Sequence, residues 1–406
     1  MMQRWLGDRD LPGMNILTRV ACILALNVAA ACAADRLVIH EWGTLTSLQD
    51  EDGRAIAGIN ADDEAVPAFV HEVAPNLIRS RDGIGKGIPG VHPDVTMRLE
   101  TPVLYIHAPA GFAGRVDVGV KFAGGWLTEF YPDAEVTAPG IDQKAGTVGH
   151  ITGDGTLRWT GLKIGGDAAG PKTDARVWLS PRRVAADNVT TVGGESERFL
   201  FYRGVGKADQ ILSLRRDSTT GGERAVPNAD PAMNPPYWLA DIRPDGTAAI
   251  QSVSPLGSSR PFQEGDYDTA NVAALRDGMK GELIAAGLNQ DEADALLNTW
   301  ADSYFKNPGL RAFYLYPREA VDKLLPLTVT PAADVTRVMV GRIELVTPEE
   351  RAVMGKLSTA NLQEAEKEYA GLGRFRAAMA LDEERRYPSE ELEKFMGTMS
   401  VAFYRP

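Results

Sequence analysis

Across residues 37–253 apolar and polar positions mostly alternate, and clusters of Gly, Pro, Asn and Asp interrupt the alternation every few residues. The clearest run is Arg115–Phe122. Val116, Val118, Val120 and Phe122 fall on one face, with Arg115, Asp117, Gly119 and Lys121 on the other, as in a strand buried on one side only. Comparable runs at 37–48, 103–107, 126–131, 157–164, 177–179, 199–202, 237–242 and 247–253 predict further short strands. Strands in this number, separated by turn-rich connections, predict an antiparallel sandwich or barrel-like body.

The pattern changes after Pro261. Residues 269–286 read as a helix stopped by Gly287, and Asn289 with Glu292 three positions later forms a capping box for a second helix reaching Phe305. This predicts a helical hairpin. Strands at 310–316, 327–330 and 335–346 follow, with a short helix at 318–325 between the first two. Thr347, Pro348 and Glu350 supply an N-cap, a proline at the first helical position and a glutamate at the third, so a helix should start there. The charged tail beyond it, broken at Gly371, Gly373 and Pro388, is expected to be helical. The chain is therefore read as α+β: a β-rich domain over 35–255, a mixed α/β segment packed on it over 256–346, and a helical tail over 347–406.

The N-terminal end has another character. From Met14, one positive charge at Arg19, an apolar run over 20–31 and small residues up to Ala34 have the layout of a secretory signal peptide. Residues 1–34 are assigned to this leader, with 1–13 an extension of it or an upstream start. The run is too short to span a bilayer, and no later segment approaches that length, so no transmembrane segment is expected once the leader is cleaved. Both cysteines of the chain, Cys22 and Cys32, lie inside it. The mature protein is thus expected to be periplasmic or secreted, with no thiol for disulfides, metal ligation or nucleophilic catalysis. Acylation of Cys32 as a lipoprotein is the lesser alternative, because the usual Leu three residues earlier is missing.

Composition narrows the partners. The 406 residues hold 43 Lys and Arg against 55 Asp and Glu, a net charge of −12, which is the wrong sign for a protein built to bind nucleic acid. All five histidines, His40, His71, His92, His107 and His150, fall between positions 40 and 150. With cysteine absent, any transition-metal site must use imidazole and carboxylate, for which zinc or copper is the natural occupant. His40, His71 and His107 are the expected ligands, and Glu41, Glu72 or Glu100 the accompanying base or supporting carboxylate. No pair has the i, i+4 spacing of a helical zinc motif. On a strand, moreover, His40 and Glu41 point to opposite faces, while Val103, Tyr105 and His107 share one. The backed pair is His40 with His107.

The stretch 79–94, interrupted by Gly83, Gly85, Gly87 and Gly90, reads as a long loop carrying His92, suited to a lid or a ligand contact. Aromatic residues along the β region are mostly core, but Trp42 and Tyr131, with Glu129 nearby, are candidates to line a groove for a glycan or small molecule. Trp42, His92, Glu129 and Tyr131 are therefore the expected ligand contacts. There is no phosphate loop, nucleophile elbow or dinucleotide fingerprint.

The opening of the mature chain, His40-Glu41-Trp42-Gly43-Thr44-Leu45-Thr46-Ser47, resembles a group of uncharacterised exported bacterial proteins that open with His-Glu-Trp-Gly-Thr-Phe-Thr-Ser; Leu45 stands where that group has Phe. Segments 100–105, 127–132, 199–204 and 338–342 resemble the same group. The resemblance implies export and a common fold and supplies no catalytic residue. Two functional expectations follow: a metal-assisted hydrolase or oxidoreductase using the N-terminal histidines, or a non-catalytic envelope protein whose β domain binds a glycan, small molecule or protein. Convergence of the histidines in space separates them.

Overall fold

The computed structural model describes residues 36–61, 66–73, 91–357 and 362–398; the leader, with Cys22 and Cys32, and most of the 79–94 loop lie outside the described residues. Strands dominate the N-terminal part and helices the C-terminal part, with no closed barrel among the described residues. Nine strands form the main sheet in the order Ala248–Val253, Tyr237–Ile242, Gly309–Leu315, Ala333–Leu345, Leu37–Gln49, Met97–His107, Leu200–Gly206, Gly125–Tyr131 and His71–Glu72. A second sheet runs Ser196–Glu197, Val189–Thr190, Gly155–Ile164, Arg115–Phe122 and Leu327–Thr330, with Glu135–Thr137 added beside Gly155–Ile164.

Two findings correct the sequence reading of this body. Leu37–Gln49 pairs in parallel with Ala333–Leu345 over its whole length, from Leu37 opposite Ala333 to Gln49 opposite Leu345, so the main sheet is mixed rather than antiparallel. Segment 256–346 is accordingly threaded through the body: it gives Gly309–Leu315 and Ala333–Leu345 to the main sheet and Leu327–Thr330 to the second. The run at 177–179, read as a strand, is the short helix Arg176–Leu179. Three consecutive apolar residues carry no period that separates the two structures.

The main sheet is buried on both faces. Leu37, Ile39 and Leu45 share one apolar core with Val116, Val118, Val120 and Phe122 of the second sheet. Trp42, Phe313 and Val338 belong to another, completed by Leu275, Met279, Leu296 and Trp300 of the helical hairpin. That hairpin consists of Ala270–Ala285 and Gln290–Thr299, extended by Ala301–Phe305. Gly287, at φ +111°, makes the turn between them, as the sequence predicts. The tail helices Pro348–Leu357, Leu362–Gly371, Arg376–Arg386 and Glu390–Thr398 close a third cluster around Leu48, Ile56 and Trp126. The Thr347 cap is present: Glu350 N–H donates to Thr347 Oγ1 at 3.2 Å, and Thr347 N–H to Glu350 Oε2 at 2.8 Å. No helix among the described residues is long and apolar enough to cross a membrane.

One irregularity sets the geometry of the site. Trp42 pairs with Val103 and Thr44 with Glu100, so Gly43 alone faces both Thr101 and Pro102. Thr101 has φ +47°, and a Cβ on Gly43 would lie 3.0 Å from the Pro102 Cα. This β-bulge switches the parity of the strand. Before it, Met97 and Leu99 face the inter-sheet core; after it, Leu104 and Ile106 do, which turns Val103, Tyr105 and His107 toward the hairpin.

Candidate metal centre

His40 and His107 lie on neighbouring strands and on the same face. His40 pairs with Tyr105 and Val38 with His107, so the two histidines are diagonal neighbours, with ring centroids 5.1 Å apart. The second helix of the hairpin brings Glu292 between them. Its position follows from the capping box: Asn289 N–H donates to Glu292 Oε2 at 2.8 Å, which turns the carboxylate back over the helix start and toward the sheet. His40 Nδ1 donates to Glu292 Oε2 at 2.7 Å, and His107 Nε2 to Glu292 Oε1 at 3.0 Å. One atom from each of the three residues lies within 4.8 Å of the others, a grouping able to hold a metal ion.

The electrostatics suit a cation. Glu292 is fully buried, which alone would raise its carboxyl pKa. Hydrogen bonds from His107, His40 and the Asn289 amide instead bring it down to about 2, so it is an anion at neutral pH. Burial, and then the Glu292 charge, push the Tyr105 phenol well above its usual value; it stays neutral and donates to the Pro181 carbonyl at 3.0 Å. Access is one-sided: the His107 side chain is 22% exposed and that of His40 11%.

The other expected site residues are placed elsewhere. His71 sits at the far edge of the main sheet, three strands beyond Met97–His107, roughly 14 Å at the usual spacing. Its Nε2 contacts both oxygens of Glu195 at 3.0 Å, and its ring stacks on Phe130 and Tyr131. It is not a third ligand. Glu41 faces away from His40, as strand alternation requires, and accepts hydrogen bonds from Tyr202 Oη and Arg337 Nε in full burial. Glu100 shares the hairpin side with His40 but lies about four residues, or ~13 Å, along the strand. There it accepts from Arg98 Nε at 2.9 Å, Arg374 Nη1 at 2.8 Å and Thr46 Oγ1 at 2.7 Å. Glu72 is exposed on the edge strand opposite Glu129. None of the three carboxylates expected to act as base touches the histidine pair.

The four expected ligand contacts do not form a groove. Trp42 is fully buried under the hairpin, and Tyr131 packs among Phe69, Trp178 and His71. His92 lies against Trp126 with its Nε2 2.9 Å from the Gly149 carbonyl, and Glu129 is 3.4 Å from Arg203 Nη1. The residue that sequence reasoning missed is Glu292. Its signal was visible, since Asn289 and Glu292 define the helix start, but only the docking of the hairpin gives that cap a second role. No known protein-family profile matches the chain, and no curated protein is significantly similar to it.

Proposed function

We propose that the protein is an exported metal-binding enzyme in which His40, His107 and Glu292 hold a zinc ion and a fourth position is left to water and substrate. The supporting observation is the convergence of two imidazoles and one carboxylate from three separate elements on one partly accessible point. Two histidines and a glutamate are a ligand set of catalytic zinc, whose open position distinguishes it from closed structural sites. Bound zinc would acidify a water and polarise a carbonyl or phosphoryl oxygen, which makes hydrolysis the reaction class. The chain's own contribution is to fix the ligands. The cap holds Glu292, the bulge at Thr101 turns His107 inward, and the two imidazole protons now directed at the carboxylate are the ones a cation displaces. Copper or iron would use the same ligands for oxidative chemistry.

The two sheets sharing one core are read as an open sandwich, and residues 1–34 as the leader that exports it. In the stretch that resembles the exported bacterial group, His40 is the ligand, while Trp42 and Gly43 serve packing. A second reading rests on the three hydrogen bonds that Glu292 accepts: the cluster would be a clamp fastening the hairpin to the sheet of a non-catalytic envelope protein. Elemental analysis of untagged protein decides. About one equivalent of zinc per chain after reconstitution, lost in the His40→Ala, His107→Ala double variant, is expected. Less than roughly a tenth of an equivalent of any transition metal in the wild type would leave the clamp.

A further inference from the structure

Glu100 and Glu344 each collect two guanidinium groups. Arg98 and Arg374 reach Glu100; Arg311 Nε reaches Glu344 at 3.3 Å and Arg342 Nε at 2.6 Å. Arg311 and Arg342 are each 2% exposed and Arg374 nearly as buried, yet all three line one cleft of about 700 Å³, together with Arg243 and Arg376. The cleft lies between the end of the main sheet and the 371–376 segment of the helical tail. Five arginines on one concavity contrast with a chain of net charge −12.

Four acids share the wall with the five arginines; Glu349 is exposed, and the other three accept hydrogen bonds from the protein. Glu344 is held by its two arginines, and Asp241 accepts the Tyr267 hydroxyl at 2.5 Å. Glu350 accepts the Thr347 N–H at 2.8 Å, and burial, together with the charges of Glu344 and Glu349, holds its carboxyl above the ordinary value. The guanidinium groups are held in place. Arg374 lies over the Phe375 ring at 4.3 Å, Arg376 Nη1 donates to the Gly373 carbonyl at 3.0 Å, and Arg311 Nη1 donates to the Ser303 carbonyl at 2.9 Å. Fixed forks of this kind recognise carboxylate and phosphate oxygens with little ordering of their own. Leu48, Leu310, Leu372 and Met379 give the cleft an apolar side. Its volume is that of a small-molecule site.

We propose that this cleft binds a small organic anion, a carboxylate or phosphate head on an apolar body, with Arg342, Arg374 and Arg376 around the head. It is separate from the metal centre. Leu48 lines the cleft and His40 lies eight residues earlier in the same strand, roughly 26 Å away.

The test is calorimetric titration of the full, untagged protein with decanoate, decyl phosphate and the neutral decyl glucoside. Saturable binding of at least one anionic amphiphile, with none of the glucoside, is expected, and the preferred amphiphile identifies the head group. Arg376→Gln and Arg243→Gln leave the Glu100 and Glu344 pairs intact, and Arg376→Gln should weaken binding about tenfold or more. Binding should be unchanged in the His40→Ala, His107→Ala double variant, so failure of the metal centre and failure of the cleft are read separately. Absence of saturable binding by both anions, equal binding of the glucoside, or full affinity in both arginine variants would overturn the proposal.

Discussion

Glu292, on the second hairpin helix, and Glu41, on the main sheet, are both fully buried carboxylates, and the donors around them make them different chemical objects. Glu292 accepts from two imidazoles and an amide at a partly open rim. A metal ion can replace imidazole protons, so this carboxylate stands ready to become a ligand. Glu41 accepts from the Arg337 guanidinium and the Tyr202 phenol, sealed inside the protein. Burial and the Glu41 charge push the Tyr202 phenol well above its usual value, and Arg337 additionally donates to Leu325 O at 2.6 Å and Asp322 Oδ1 at 3.0 Å. Neither donor yields its proton near neutral pH, so nothing can displace them. Neighbouring positions in one strand, His40 and Glu41, thus divide between a site and a structural ion pair.

The largest effect should come from the sealed side. Glu41→Gln removes the buried anion of Arg337 and leaves it only the half-exposed Asp322, and removing one partner of a buried pair costs about 3–5 kcal/mol. Urea denaturation should show that loss, while zinc stoichiometry in the folded protein stays at its wild-type value. A loss under about 1 kcal/mol would erase the distinction between the two carboxylates.

On the open side the order reverses. Glu292→Gln keeps the size of the side chain and an oxygen for the Asn289 amide, so stability without metal should fall by only about 1–2 kcal/mol. Zinc affinity, measured by competition with a chromophoric chelator, should fall by at least about 100-fold, close to 3 kcal/mol. Retained affinity with a detached hairpin would assign Glu292 to the clamp.

How far the sequence reveals this contrast depends on what covers each strand. Arg115–Phe122 shows clean alternation because one face meets solvent. Leu37–Gln49 is buried on both faces, so its pattern does not announce which residues share a core. Its parallel partner Ala333–Leu345 lies nearly 300 residues away, beyond any local period. The His40 and His107 pairing was legible from strand alternation, whereas His71 was drawn in by density along the chain, which does not measure distance across a sheet. The bulge hides further: Thr101 at positive φ is a conformation its residue type gives no reason to expect. The hairpin and its capping box were readable from local signals, but the partner of Glu292 is set by how the hairpin folds back onto the sheet.

The smallest effect tests whether arginine-held carboxylates act as fixed pairs at the periphery too. Glu51 accepts from Arg386, and Arg351 Nε lies 3.3 Å from its other oxygen, tying the helices Arg376–Arg386 and Pro348–Leu357 to a turn of the body. Burial pushes its carboxyl up, but the bond from Arg386 and the charges of Arg351 and Arg386 prevail and hold it at about 2, below the ordinary 4.5. A carboxyl lowered on folding stabilises the folded state above its unfolded value and loses that contribution as pH falls through its folded value. The window is therefore from about pH 4.5 down to about 2. Because the pair is partly exposed, its worth is of the order of 1 kcal/mol. Wild type should exceed Glu51→Gln by that amount in urea denaturation at pH 6, and the difference should vanish near pH 2. Since the arginines keep their charge throughout, a difference that persists unchanged to pH 2 would mean that packing around Leu48 and Trp126, rather than this ion pair, secures the tail.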